Sequence, residues 1–419
     1  MIHNLETILK SSFRKQTDKY LNYFWIGFTI YTASFALSTS TTVSYIICQA
    51  FQTLGIFIFV LAATKLIRWK FSNQYLEFFF SLLCFWQLTI ILRGHDFSYN
   101  NIKVLLFDAE LGLFRFFVPL ILLFPKNLLY YKKILKVILI LGLLFILYDG
   151  LFIKNLLDLS YENDAPKFTY EHFVKILSVP CGLILLTFRY QTRPIKYFAL
   201  IVLLVSIVFA IIRARRALLF LSVSPLLFSY LLFLFSQKKK FLSILLTFLV
   251  GLFLVFFGVK DYSASTPGIF SLLSDRATED TRSGVETMFY RDMTTGDWII
   301  GKGIDGTYFC PGIQTGDHTI YRDMIETDYL NIILKGGIIS LALVLLIAIP
   351  AVIRGLFYSK NLFSKAAAMW ILLWLFALYP ATVTTFSLHY LTVWIAIGVC
   401  YSEAIGKASE KTIAKILSN

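Results

Sequence analysis

Arg213, Arg215 and Arg216 crowd one short turn between two apolar stretches, each long enough to cross a bilayer. Guanidinium groups packed this closely repel one another unless an anion lies among them. Their planar forks match phosphate oxygens two at a time. The chemistry open to them is the binding of an oxyanion. A plainer role also exists, because arginines at the end of a span reach out to lipid headgroups, and this fits Arg213 best.

A second concentration of polar residues runs from about Lys260 to Thr327. Its bases include Arg276, Arg282, Arg291, Lys302 and Arg322, and its acids include Asp275, Glu279, Asp280, Glu286, Asp292, Asp305, Asp317, Asp323, Glu326 and, at its end, Asp328. Most of these are expected to be solvated loop charges, whose exposed pairs add little stability. The string GKGIDG places Gly301, Gly303 and Gly306 in a GxGxxG spacing. A dinucleotide site would need a strand before it and a helix after it in a βαβ unit, which a polar loop between spans does not supply. A tight turn is the better expectation. His318 and His389 fall outside the bilayer or at its edge, and a lone loop histidine is more often exposed than catalytic. No HExxH, DxD or His/Cys cluster occurs on this side, so no metal-dependent mechanism is indicated.

The elements that must position these groups are membrane helices. The chain is 58% hydrophobic and 15% charged, more apolar surface than a soluble protein could cover. Apolar runs suggest about twelve spans. They are read at 23–38, 43–63, 75–92, 111–124, 134–152, 173–188, 197–212, 217–235, 241–259, 329–353, 366–379 and 390–401. Basic residues mark every second connection: Lys65 to Lys70; Lys126, Lys132 and Lys133; Arg189, Arg193 and Lys196; Lys238 to Lys240; Arg354, Lys360 and Lys365; and Lys407, Lys411 and Lys415. This alternation follows the positive-inside rule and accounts for the net charge of +14 without nucleic acid. Both termini then face the cytoplasm. The polar amino-terminal stretch, with Lys10, Arg14, Lys15 and Lys19, reads as an inner-leaflet anchor and not as a cleaved signal. The arginine turn and the long polar loop between spans nine and ten face the opposite side, the periplasm in a bacterium. Arg115, inside the fourth span, is costly there. It is expected to face the bundle interior, to pair with Asp108 or Glu110, or to line a lipid cavity. Four cysteines lie in apolar runs and Cys310 stands outside them, with no pattern that suggests a disulfide framework.

Three blocks resemble the bacterial O-antigen polymerase and ligase superfamily. They are IIRARRALLFL, DRATEDTRSGVETMFYRDMTTGDWIIGKGIDGTYF and ETDYLNIILKGGIISLAL, which together cover roughly residues 200 to 350. The first half is similar only in topology. The resemblance implies an inverting, metal-free glycosyltransferase of the bacterial inner membrane with no cofactor. Its substrates would be undecaprenyl-diphosphate-linked oligosaccharides, as donor and acceptor, and a chain-length regulator would be a partner. By motif, Arg215 and Arg282 match the arginines that contact the diphosphate, with Arg291 a looser match and Arg216 assisting. Ligases carry a histidine near the re-entry helix. Here Glu326, Thr327 and Asp328 stand in that region, which favours polymerase over transfer to lipid A-core. Glu326, then Asp328, are the candidate bases. A flippase remains the alternative of another class, although its cations would be expected in a central cavity.

The expected fold is thus all-α and membrane-integral. Residues 1–212 would carry spans one to seven, 213–259 the arginine-containing pair, 260–328 the periplasmic catalytic loop and 329–419 the last spans.

Overall fold

The computed structural model describes residues 2–39, 43–94, 98–125, 128–154, 165–213, 215–236, 282–311 and 320–418. The ninth expected span, the first part of the polar loop and His318 lie outside the described residues.

The chain is mostly helical. Among the described residues, seven helical segments are long and apolar enough to cross a membrane, which makes this a multi-pass membrane protein. Chain order begins with α1 (Ile2–Ser38), α2 (Tyr45–Leu66), α3 (Gln74–Leu92), α4 (Tyr99–Phe107), α5 (Phe114–Phe117), which continues as a 3-10 helix over Val118–Leu123, and α6 (Leu128–Leu151). Next are α7 (Ala165–Phe173), a π-helical turn at Val174–Ser178, α8 (Cys181–Leu186), α9 (Arg193–Ile212) and α10 (Arg216–Ser236). Then come α11 (Ser283–Asp292), α12 (Thr295–Ile300), a hairpin of β1 (Tyr308–Phe309) with β2 (Tyr321–Arg322), and α13 (Asp328–Phe357). The chain closes with α14 (Leu362–Ala377), α15 (Leu388–Tyr401), α16 (Glu403–Lys407) and α17 (Glu410–Ser418).

Side chains that favour helix starts set several of these boundaries. Asn73 accepts a hydrogen bond from the Leu76 N–H, and Asn361 from that of Ser364. Thr294 and Asp297 cap each other at the start of α12. The long pair α1 and α2 packs closely because Gly27 and Gly55 face each other. A Cβ on either would lie under 3.0 Å from the other's carbonyl oxygen, as at the small-residue interfaces of membrane helices.

Contacts between distant segments define two ends of the bundle. At one, Arg68 N–H donates to Leu123, Lys133 pairs with Asp18, the Tyr190 hydroxyl donates to Glu410, and Asn361 donates to the Ile405 carbonyl. Basic turns predominate here. At the other, Thr169 donates to the Thr39 carbonyl, Phe386 N–H to Ala109, and Arg282 to Pro380. This second end carries the 213–216 turn and is called the arginine end below.

Three expected spans are shorter than a bilayer demands: Phe114–Leu123, Leu362–Ala377 and Leu388–Tyr401. The first gives way to a turn at Asp108, whose carboxylate accepts the N–H groups of Glu110 and Leu111 and so stops α4. The fourth of the seven long segments, Thr169–Leu186, is broken by its π turn next to Pro180, which has no N–H to continue the ladder.

The described part of the polar loop is not the solvated segment expected from its charge. Phe289, Met293, Tyr308, Cys310 and Ile325 form a small core with Leu330, Ile333 and Leu334 of α13. Burial there raises the Tyr308 phenol above its ordinary range. The loop is tied down at GKGIDG, where Lys302 N–H donates to the Leu334 carbonyl and Gly303 N–H to that of Lys335. Those carbonyls are accessible because α13 is broken at Gly337, which has φ +68°. Gly301 and Gly303 also have positive φ. The tight-turn reading of these glycines therefore holds.

A Cβ on Gly337 would lie 2.0 Å from the Ile299 carbonyl oxygen, in a backbone region that disfavours L side chains. Gly337→Ala is expected to cost about 1–3 kcal/mol. Gly150→Ala, with nothing within 4 Å of the added carbon, should be neutral or slightly stabilising. Thermal unfolding in detergent compares them, and equal melting temperatures for both variants would refute the docking.

Candidate functional site at the arginine end

Two charged assemblies occupy the arginine end. The first surrounds the turn between α9 and α10. Arg213 is buried, Arg215 half-buried and Arg216 exposed at the first position of α10. Arg215 Nη1 lies 3.7 Å from Glu171 of α7. Glu171 also pairs with Lys175 at 2.9 Å, one helical turn on. Lys175 reaches Glu110 at 3.3 Å, and His172 lies 3.8 Å from the same carboxylate. A ladder of alternating charge thus runs from the arginine turn to the loop after α4. The protein's own carboxylate supplies a neutralising anion beside Arg215, where sequence alone suggested only a ligand or a lipid headgroup. Asp108, on the same loop, is buried. Burial pushes its carboxyl up, opposed by the N–H donors of Leu111 and Glu110.

The second assembly joins α11, the segment before α13 and the turn after α14. Arg282 precedes α11 and donates from Nη2 to the Pro380 carbonyl at 2.7 Å and from Nη1 to Tyr379 at 3.4 Å. Its Nε lies 3.5 Å from Glu326 Oε2. Glu326 is the open member, with 73% of its side chain exposed. Thr327 Oγ1 donates to Glu286 one step behind it. A groove of about 40 Å³ runs past Arg282, Glu286, Arg322, Glu326 and Thr327. Arg291 is exposed on the last turn of α11, and beside it Tyr290 and Trp298 stack with their planes 8° apart.

Asp328 needs correcting as a candidate base. It is fully buried, and its Oδ2 accepts the N–H groups of Val383 and Thr384 and the Thr384 hydroxyl. That carboxylate ties α13 to the loop before α15 and is closed to an incoming hydroxyl. His389, the second residue of α15, is likewise buried, with its ring against Trp370. Arg115 faces the interior as expected. Its direct partner is the Glu110 backbone carbonyl at 2.8 Å, however, and not the carboxylate of Glu110 or Asp108. Among the described residues no group of three or more His, Cys, Asp or Glu side chains is placed to hold a metal ion.

Sequence reasoning missed Glu171 and Lys175, because a mixed segment around a broken span shows no clear period. It also missed Lys335 and Asn331, which lie inside α13 but face polar neighbours. The signal for Lys335 was present: a lone lysine inside an apolar run is expensive unless it has a task.

The Arg215–Glu171 contact is open to a double-mutant cycle with Arg215→Gln and Glu171→Gln. Both side chains are mostly shielded, so a coupling of about 1 kcal/mol is expected in thermal unfolding. Strict additivity would mean that the ladder does not hold Arg215.

Compared with known protein families, with curated proteins and with solved structures, the chain matches none of them.

Proposed function

We propose that this chain is a bacterial inner-membrane glycosyltransferase that polymerises polyprenyl-diphosphate-linked oligosaccharide units at the periplasmic face. The observation that carries the reading is the pairing of Arg282 with the exposed Glu326 at an open groove. A fixed guanidinium and a free carboxylate side by side suit a displacement that needs both an anion stabiliser and a base. The resemblance of the blocks around Arg215, Arg282 and the start of α13 supports the same assignment.

In this mechanism the acceptor hydroxyl oxygen attacks the anomeric carbon of the donor sugar. The bond from that carbon to the diphosphate oxygen breaks, and its electron pair leaves with the diphosphate. The hydroxyl proton passes to Glu326. Charge grows on the leaving oxygen as the bond stretches, so cations preset around it favour the transition state over the ground state. Arg282 is preset by two backbone carbonyls. Arg215 and Arg216 would hold the rest of the diphosphate, with Arg291 at the rim. Attack from the face opposite the leaving group inverts the anomeric configuration. The stacked Tyr290 and Trp298 offer an apolar surface of the kind on which sugar rings lie.

The test supplies purified protein in lipid with native lipid-linked repeat units and separates the products on a gel. A ladder is expected from the wild type. Arg282→Ala should slow its growth about 100-fold or more. Glu326→Gln, which keeps the shape but not the base, should slow it by a similar factor. Arg282→Lys should also lose activity, since an ammonium cannot hold two carbonyls and a carboxylate in one plane. Full-length ladders from both Arg282→Ala and Glu326→Gln would sink the mechanism.

A further inference from the structure

Behind the arginine end, where α3, α5 and α13 meet, lies a cavity that the proposed reaction does not use. Its volume is about 40 Å³, and its polar lining includes Gln87, Arg115, Asn331, Lys335, Thr384 and Tyr390. That space holds about three waters or one small oxyanion. Ile90, Phe116, Ile332 and Val344 add apolar surface to the wall. Asn331 and Lys335 lie in the first two turns of α13, so the cavity sits roughly one helical turn or two below that helix's start.

Arg115 and Lys335 are 4% exposed each, and both line this one small space. They repel each other. Neither forms an ion pair with a described carboxylate. Asp328, Asp108 and Asp323 act on Arg115, and Asp323 and Asp305 on Lys335, only through space. Each cation makes one hydrogen bond: Arg115 Nη1 donates to the Glu110 carbonyl and Lys335 Nζ to that of Gly306 at 2.9 Å, and the Arg115 guanidinium also lies 4.8 Å from the centre of the Phe116 ring. Those contacts leave donors unused. Arg115 Nε and Nη2 are buried with no hydrogen-bond partner among the described residues, and so is the Asn331 amide oxygen. Rotating that amide turns its N–H donors to the same place. Two buried cations with free donors in an apolar shell are costly as they stand. They are satisfied together by an oxyanion, which a guanidinium grips through two oxygens while an ammonium neutralises the third.

We propose that this cavity is a binding site for the phosphate group of a membrane lipid. Near one end of a membrane bundle, one or two turns inside a spanning helix, lipid phosphates are the anions at hand. The phosphate could be carried by a prenyl lipid or by an ordinary phospholipid, and the two arms of the test separate these sources. The proposal does not rest on polymerisation. Its readout is lipid retention alone, so a missing ladder with lipid still held would sink the function proposed above and leave this site standing.

The experiment is native mass spectrometry of the full chain in uncharged detergent, with undecaprenyl phosphate added in one arm and phosphatidylglycerol in the other. The wild type should retain lipid in at least one arm. Retention only with undecaprenyl phosphate assigns the site to prenyl lipids, and retention in both assigns it to lipid phosphate in general. Arg115→Gln should weaken retention about tenfold or more, because it removes the fork from a buried charged contact. Asn331→Asp guards against loss of fold. It puts a carboxylate beside the two cations, so its melting temperature should hold or rise while its lipid retention falls by a similar factor. Retention by Asn331→Asp at the wild-type level overturns the proposal, as does a wild type that holds neither lipid.

Discussion

The arginine end depends on one docking of backbone against backbone. A helix 30 residues long would normally keep every carbonyl inside its own ladder. Gly337 breaks that ladder and leaves the carbonyls of Leu334 and Lys335 to accept from Lys302 and Gly303. The Gly336 carbonyl takes the Trp86 indole N–H in the same way. Glycine is required on both sides, because a Cβ on Gly301 would lie 2.5 Å from the Gly336 nitrogen and one on Gly303 2.5 Å from the Arg93 carbonyl oxygen. The result is that α12, the end of α3 and the start of α13 are tied together by backbone hydrogen bonds. The small core around Phe289 and Tyr308 sits on that piece, and the arrangement aims Arg282, Glu326 and Lys335.

Charge is handled differently at three depths. Arg215 is answered by Glu171 within a ladder that ends on Glu110, so the turn that looked overcharged is partly neutralised by the protein itself. Arg282 is answered by two neutral carbonyls and one exposed carboxylate among the described residues. Arg115 and Lys335 are answered least, with one carbonyl each. Unpaired charge costs most where the surroundings are most apolar. The order of compensation therefore runs opposite to the order of need, and the deepest pair is the one whose free donors call for an explanation.

Much of this was legible in the residues. The long apolar runs that became α2, α3, α6, α9, α10 and α13 needed only length and hydropathy, since a span buries its own hydrogen bonds and little else decides its form. The turn glycines of GKGIDG could be read because positive φ leaves few other choices. What could not be read depended on partners far apart in the chain. Asp328 looked like a base beside Glu326, but its burial follows from Val383 and Thr384, more than 50 residues on. The polar loop looked solvated by composition, yet a handful of apolar residues at irregular spacing was enough to fold it onto α13. Neither contact leaves a periodic trace.

The contrast between Glu326 and Asp328 shows what the start of α13 accomplishes. Two carboxylates two residues apart stand at the start of the same helix, Glu326 just before it and Asp328 at its first position, and a helix N-terminus favours negative charge near its first turn. Asp328 turns inward and spends one oxygen on three donors, which pins the loop of Val383 and Thr384. That loop follows the turn carrying Tyr379 and Pro380, the carbonyls that hold Arg282. The buried carboxylate therefore positions the guanidinium that faces the exposed one. Asp328 shapes that end of the fold from the inside, while the same geometry keeps the Glu326 side chain in the open.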